Sequence, residues 1–455
     1  MRASETHPRH RYEGQAWRRV VGALACALPL ACAKELPPDV VIVTLDTTRW
    51  DMLGSYGGRG ETPYLDALAE DSARYEEAIA TAPYTGPSHA SLMTGLYPAQ
   101  HGLRDYLVEA LPERNLTLAE LLAEHGYDTA AFVSTYVLDP RYGLDQGFAL
   151  YSSPQPESGS GNLGSMARPG RETFDEAIAW LRKRPSDRPF FLWLHSYDAH
   201  AEYGLLGAHY EPPKEYRRAL PRGVKPGSEA AQQQRYYEQA GGLDAEVERI
   251  LAVLRKTHRY ERTLLVITAD HGELLGFHGR KLGTHSPMLV DETVRVPLLV
   301  RVPGQLAAGV RTRQVSLIDI FPTVLEVVGI DLPADIEGQS LLASDRLQPR
   351  PAYSETLYEF YPSRAEPGQE LASLRHEGWK LIVRPGREEL YDLRADPDEK
   401  ENLAEVQPER LVEMRRVMNA LRDRWPDGLG PKLLEIDPKE RAEHEDRLRA
   451  LGYTE

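Results

Sequence analysis

Beyond its first 32 residues the chain has no cysteine; the two it carries are Cys26 and Cys32. A disulfide framework and a cysteine-ligated metal are therefore excluded from the body of the protein. Basic excess is also missing. Lys and Arg number 54 against 69 Asp and Glu, a formal charge of -15, and no basic stripe is present to attract a nucleic-acid backbone. That balance does not exclude a small anionic substrate, because a bound divalent cation reverses the field locally. No apolar stretch reaches the roughly 20 residues that span a bilayer. Internal repeats and coiled-coil heptads are absent too. What remains, 41% hydrophobic and 27% charged residues over 455 positions, is an ordinary globular composition with material for a large core. It can fold as one large α/β domain with a smaller companion, or as two to three smaller domains.

The N-terminus is basic, with Arg2, Arg9, Arg11, Arg18 and Arg19, and continues into the apolar run VVGALACALPLA from Val20 to Ala31. A charged n-region followed by a short apolar h-region describes an export signal. The run stops in Leu30, Ala31 and Cys32, which resembles a bacterial lipobox whose cysteine is lipidated after cleavage, although Pro29 departs from that pattern. Residues 1–32 are expected to be a signal peptide, either a lipoprotein leader or a plain cleaved signal with an incidental Cys32. The mature protein is then periplasmic, or held at the cell envelope by its lipid.

After a short linker, DVVIVTLD (Asp39–Asp46) is a near-continuous apolar run closed by an acid, the pattern of a strand buried on both faces. The same pattern returns in TAAFVS (Thr129–Ser134), FFLWLHS (Phe190–Ser196), TLLVITAD (Thr263–Asp270) and VPLLVRV (Val296–Val302). Helices are expected over Tyr64–Ile79, Leu116–His125, Arg171–Arg184 and Ser228–His258. Strands alternating with helices imply a mainly parallel sheet sandwiched by helices. From about residue 346 the elements shorten into SETLYEF, SLRHEGWKLIVRP and ELYDLRADP, followed by helices near Pro408–Trp425 and Pro438–Leu451. This predicts an α/β catalytic domain over 38–345 and a small α+β subdomain with a helical tail over 346–455. Ser153–Gly170, rich in Ser and Gly, reads as a loop near the pocket mouth.

Open α/β sheets bind ligands at the carboxyl ends of their strands. Three of the strands end there in polar groups: Asp46, the segment from His195 to His200, and Asp270-His271. Converging carboxylates with one imidazole suit a divalent metal bound mainly through oxygen, whereas any single strand-end Asp could simply cap the next helix. In TAPYTGPSHASLMTG (Thr81–Gly95), Thr85 precedes a helix start led by Pro87, so its hydroxyl sits at a helix N-terminus where an anion is favoured. By itself Thr85 reads as an N-cap before it reads as a nucleophile.

VIVTLDTTRWDMLGSYG, TGPSHASLMTGLYPAQHG, FFLWLHSYDAHAEY, ITADHGELLGFHG, DETVRVPLLV, SLIDIFPTVLEVVGI and LYDLRADPDEKENLAE follow one another in an order that resembles the sulfatase family, from about Pro38 to at least Leu403. The resemblance implies an alkaline-phosphatase-like fold and one divalent metal at the sheet edge, held by Asp46, Asp270 and His271. It also implies substrate contacts from His200 and His285. Two departures are informative. Sulfatases that make formylglycine carry Cys or Ser in a C/S-x-P-x-R element, whereas this chain reads Thr85-Gly86-Pro87-Ser88-His89. A methyl group on the threonine Cβ blocks the aldehyde, so no formylglycine is expected, and His89 stands where the supporting arginine would. The Lys-Trp-His element expected after the next strand is replaced by AFVSTYVLDP.

An unmodified threonine with this metal set resembles the phosphorus-processing members of the superfamily. Thr85 is then both nucleophile and metal ligand, with His89, His200 and His285 as further catalytic candidates. Arg49 either orients the metal carboxylate or clamps the substrate anion. The expected reaction is metal-dependent hydrolysis of a small anionic ester, with phosphomono- or phosphodiesters favoured. Two rivals stay open: sulfate ester hydrolysis in which Thr85 only positions an attacking water, and a binding lipoprotein that has lost catalysis. His101 and His278 are as readily structural as functional, and Glu273 is a candidate partner for His271. Oligomeric state is not legible. Cys32→Ser should move the protein from the membrane fraction to the soluble one if Cys32 carries lipid; equal partitioning in a fractionation blot would leave an ordinary cleaved signal.

Overall fold

The computed structural model describes residues 36–455 apart from 105–108, 155–165, 185–186, 205–206, 210–211, 281, 286–287, 343–349, 358–370, 426–431, 434–441, 444–445 and 447–455. The leader, most of the Ser/Gly loop, the tyrosine-rich segment at 358–364 and most of the tail at 438–451 lie outside the described residues. Among those described, no helix is long and apolar enough to cross a membrane.

Nine strands build the central sheet: β1 (Asp39–Leu45), β2 (Ala73–Ile79), β3 (Asp128–Phe132), β4 (Leu150–Ser152), β5 (Phe190–Ser196), β6 (Thr263–Thr268), β7 (Arg295–Arg301), β8 (Gly309–Arg311) and β9 (Val315–Ser316). Their order is β8-β2-β7-β6-β1-β5-β3-β4, with β9 also on β2. All neighbours run parallel except β7, which is antiparallel to both β2 and β6. The middle strands β1, β5 and β6 are buried at every position, which is why they read as continuous apolar runs rather than alternating ones. Alternate side chains serve opposite faces. Val40 and Ile42 pack with helices α2 (Thr85–Thr94), α3 (Leu118–Glu124) and α6 (Ile320–Val328) through Leu92, Leu122 and Phe321. Val41, Val43 and Leu45 face α1 (Pro63–Glu70), α4 (Gly170–Lys183) and α5 (Glu229–Lys256) through Leu65, Phe174 and Val247.

A second, four-stranded antiparallel sheet follows, β10 (Ala352–Thr356), β11 (Leu371–His376), β12 (Trp379–Arg384) and β13 (Arg387–Asp392), paired in chain order. Helix α7 (Pro408–Arg422) covers it with Leu411, Met414 and Met418. The sheet is tied to the end of β2 where Glu355 N donates to the Thr81 carbonyl at 2.9 Å and Ser354 Oγ to that of Ala80 at 2.6 Å. Mainly parallel sheet, helical layers and C-terminal α+β unit are as the sequence implied.

One expected element is wrong. The helix read over Tyr64–Ile79 ends at Glu70, and Ala73–Ile79 is strand β2. Helix propensity in ARYEEAI yields to pairing with β7 and β9, which only the folded sheet supplies. Helix α1 also lacks a side-chain cap of its own at Thr62. Asp244 of α5 takes that role, accepting from Leu65 N at 2.7 Å and Tyr64 N at 3.2 Å. Asp244→Ala should lower stability by about 1 kcal/mol with turnover per folded molecule unchanged; thermal melting alongside an activity titration checks it.

Candidate active site

Strands β6, β1 and β5 lie side by side and parallel, so their carboxyl ends form one edge. The residues that leave that edge are Asp270, Asp46 and His195, all buried. The chain turns sharply after Asp46: Thr47 has φ of 51°, a left-handed conformation costly for a β-branched residue. Tyr236 of α5 holds the turn, its hydroxyl donating to the Thr47 carbonyl at 2.7 Å and accepting from Arg49 N at 2.8 Å. Thr47 N in turn donates to Asp270 Oδ1 at 3.3 Å, as does His271 N at 2.9 Å.

Helix α2 aims its first residue at this edge. Thr85 begins the helix, with Tyr84 as N-cap, so the expected start at Pro87 moves two residues earlier. Its hydroxyl does not cap its own helix. It donates to Asp46 Oδ2 at 3.2 Å and lies 3.4 Å from His271 Nε2. His89, one turn on, fastens Thr85 from behind: Nδ1 meets the Thr85 carbonyl at 2.7 Å and Nε2 the Thr44 hydroxyl at 2.9 Å.

The electrostatics of the cluster call for a cation. Burial, opposed by the hydrogen bond from Thr85, pushes the Asp46 carboxyl up to about 8. Burial and the neighbouring Asp46 charge raise Asp270 to about 7. Burial lowers His271 and His89 to about 3 and His195 to about 4, so these rings are neutral at physiological pH. Asp46 Oδ1 and Asp270 Oδ2 are buried and accept no hydrogen bond. Ligand atoms of Asp46, Asp270 and His271 lie within 4.8 Å of one another. Two carboxylates and an imidazole with uncompensated buried oxygens fit a divalent metal. His89, His195 and Asp270 are similarly close, but both His89 nitrogens already serve Thr85 and Thr44.

His200 and His285 stand over the same site. The His285 ring lies 4.3 Å from that of His271 and 5.5 Å from that of His200. Nδ1 of His285 faces the Pro83 carbonyl and Nδ1 of His200 that of Ala201, each at 2.7 Å. A carbonyl can only accept, so each Nδ1 carries the proton and each Nε2 is the basic position. Burial holds both rings well below their usual range.

Of the residues singled out from sequence, Asp46, Thr85, His89, Asp270, His271, His200 and His285 come together. Arg49 does not. Its guanidinium is engaged by Asp51 at 2.7 Å through two bonds, by the Glu273 carbonyl at 3.2 Å and by Glu292 at 3.6 Å. His271 Nδ1 is held by the Gly272 carbonyl at 2.9 Å rather than by Glu273. His101 bonds Ser91 and Leu103, and His278 lies beside Asp398. Two residues of the His195–His200 segment, placed at this edge from sequence, had no individual role there. His195 Nε2 sits 3.0 Å from Asp46 Oδ2, and Tyr197 stacks on His200 at 4.2 Å. The signal was available for His195, a histidine near the end of a strand otherwise apolar up to it.

The Sulfatase family description matches residues 38–330, more than half of the chain. The chain belongs to the sulfatase family. Residues 285–424 match the C-terminal region of N-sulphoglucosamine sulphohydrolase. The sequence is 23% identical to an N-acetylglucosamine-6-O-sulfatase of Bacteroides thetaiotaomicron, over 86% of this chain and 88% of that protein. It is 28% identical to an ulvan-active sulfatase of Formosa agariphila, over 67% and 64%. In structure it resembles the phosphonate monoester hydrolase of Agrobacterium radiobacter, with a TM-score of 0.72 at 21% identity over 86% of this chain and 96% of that one, a likeness of fold. The sulfatase-family protein is thus an ester-bond hydrolase of the alkaline phosphatase superfamily, whose sulfatases use a divalent metal ion.

Both site carboxyls sit above their unfolded values near 4. In the metal-free protein their contribution to stability is greatest below about pH 4 and is lost as pH rises through about 7 and 8. A bound divalent cation favours the ionised forms and acts in the opposite sense. The gap in melting temperature between cation-loaded and chelator-treated protein should therefore widen from about pH 5 to about pH 8. Calorimetry across that range measures the gap, and a constant or narrowing gap would remove Asp46 and Asp270 as ligands.

Proposed function

We propose that the protein hydrolyses small anionic phosphate- or sulfate-type esters with Thr85 as an unmodified nucleophile, and that phosphoesters, phosphodiesters among them, are its better substrates. The observation that carries this reading is the Thr85 hydroxyl itself, buried at the first turn of α2, bonded to Asp46 and facing His271. Asp46, Thr85, Asp270 and His271 would hold a divalent cation, which when bound supplies positive charge that lowers the hydroxyl pKa and attracts the anionic ester.

The protein's own groups account for the remainder. Asp46 Oδ2 accepts the Thr85 hydrogen bond and turns the oxygen toward the ester, while the amides at the α2 N-terminus favour its negative charge. His89 is a positioning residue, because both ring nitrogens hold backbone and side chain of neighbouring elements. Thr85 Oγ1 attacks the phosphorus or sulfur centre, the bond to the leaving oxygen breaks, and a covalent Thr85 ester remains. The Thr85 proton passes to Asp46 Oδ2, while His200 or His285, neutral with Nε2 basic, takes a proton from solvent as the anion enters and gives it to the leaving oxygen. Water then attacks the phosphorus or sulfur of the Thr85 ester and gives a proton to the same histidine Nε2; the bond to Oγ1 breaks, phosphate or sulfate leaves, and Oγ1 takes its proton back from Asp46. Arg49 is left to shape the Asp46 turn rather than to clamp the substrate.

Phosphorus is favoured by the chemistry of the second step. A formylglycine hydrate expels sulfate by breaking C–O, whereas a threonine ester must await water at the central atom, an attack that phosphothreonine accepts more readily. Sulfate ester hydrolysis, with Thr85 orienting the attacking water, is the second reading, supported by the sulfatases among the relatives. The catalytic unit spans 38–345 with 346–455 as its companion, and the leader directs export, with Cys32 as the lipid site.

Thr85→Ala should abolish turnover of a phosphodiester, whereas Thr85→Ser, which keeps the hydroxyl, should retain a substantial fraction. Rapid-quench intact mass should show an adduct on the Thr85 peptide. Measurable Thr85→Ala activity without an adduct would instead favour the attacking-water route. Loss of about 1 kcal/mol of stability with normal turnover would reduce Thr85 to a structural role.

A further inference from the structure

Two segments that resemble family motifs, DETVRVPLLV and LYDLRADPDEKENLAE, and the β12 strand in HEGWKLIVRP contribute nothing to the chemistry above. They meet in one buried ion cluster. Lys380, on the inner strand β12 of the C-terminal sheet, is fully buried. Its ammonium lies 2.8 Å from Asp291 Oδ1 and 2.8 Å from Glu399 Oε1. Arg375 of β11 bonds the other Asp291 oxygen at 2.8 Å, and Glu399 Oε2 accepts from the Asp291 backbone N–H at 2.6 Å. Arg280 ties Glu292 at 2.9 Å to the carbonyls of Asp398 and Glu399 at 3.0 and 3.1 Å.

The cluster grips residues 291–293, and that segment lies against the loop carrying His271. Gly272 N donates to the Thr293 carbonyl at 2.8 Å. The approach is so close that a Cβ on Gly272 would stand 2.1 Å from the Glu292 carbonyl oxygen. Gly272 also supplies the carbonyl that orients His271 Nδ1. A displacement of 291–293 therefore reaches the ring facing Thr85 through two hydrogen bonds.

We infer that Lys380 is a positioning residue for the hydrolytic site: by clamping Asp291 and Glu399 it sets, through Thr293 and Gly272, where His271 stands. The inference rests on the assignment of His271 as a metal ligand. The C-terminal sheet is then part of the active centre, although none of its side chains reaches Thr85 among the described contacts. Removing one partner of a buried ionic cluster destabilises strongly because the opposing charges stay behind. Lys380→Met is therefore to be paired with Glu399→Gln, which removes one charge of each sign.

Full-length wild type, Lys380→Met, Glu399→Gln and the double variant are compared after chelation by calorimetric titration with Mn2+, by circular dichroism and by ester turnover. The folded double variant should bind Mn2+ about tenfold more weakly than wild type and show a lower kcat with KM little changed. Wild-type Mn2+ affinity in the folded double variant would overturn the inference. If the variants carrying Lys380→Met do not fold, Glu399→Gln decides: weaker Mn2+ binding supports the clamp and unchanged binding overturns it. A wild type that binds Mn2+ but turns over none of the esters would defeat the proposed function, and the Mn2+ affinities would still decide the role of Lys380.

Discussion

Two buried carboxylates, Asp46 and Asp270, face each other at the edge of the central sheet with oxygens that no hydrogen bond satisfies. Left alone, such a pair is repulsive and poorly solvated. Much of the architecture around it holds the two in place. The all-apolar strands β1 and β6 fix their backbones in register, Tyr236 secures the strained Thr47 turn, and Ser88 of α2 donates to the Asp270 carbonyl at 2.6 Å.

Around that centre the histidines divide by what holds their nitrogens. His89 has both committed inward and braces Thr85. His200, His271 and His285 each give Nδ1–H to a backbone carbonyl, an arrangement that fixes the tautomer and points Nε2 at the site. With their pKa values lowered by burial, the rings add no permanent charge, so the local field is governed by the carboxylates and whatever cation they hold.

The helix read over Tyr64–Ile79 shows how local signals mislead. Its first half is a helix because Pro63 leads it and Asp244 caps it; its second half is a strand because β7 and β9 offer hydrogen bonds that propensity cannot anticipate. His195 was legible only as one end of the His195–His200 segment, for a related reason. It belongs to a strand whose residues are buried throughout, and nothing in FFLWLHS states that one of those buried positions lies 3.0 Å from Asp46.

By itself the sequence determined the parallel core, through acid-terminated apolar runs, and which polar residues close those runs, since strand ends in such a sheet converge on one edge whatever the loops do. It also determined that residue 85 is a threonine and so cannot become an aldehyde. Only the tertiary structure decided which polar groups that edge brings into contact. It paired Arg49 with Asp51, placed His195 beside Asp46, and joined Lys380 to the His271 loop through partners distant in the chain. Hydrogen bonds and ion pairs act over about 3 Å, and at that range proximity is a property of the fold, not of spacing along the chain.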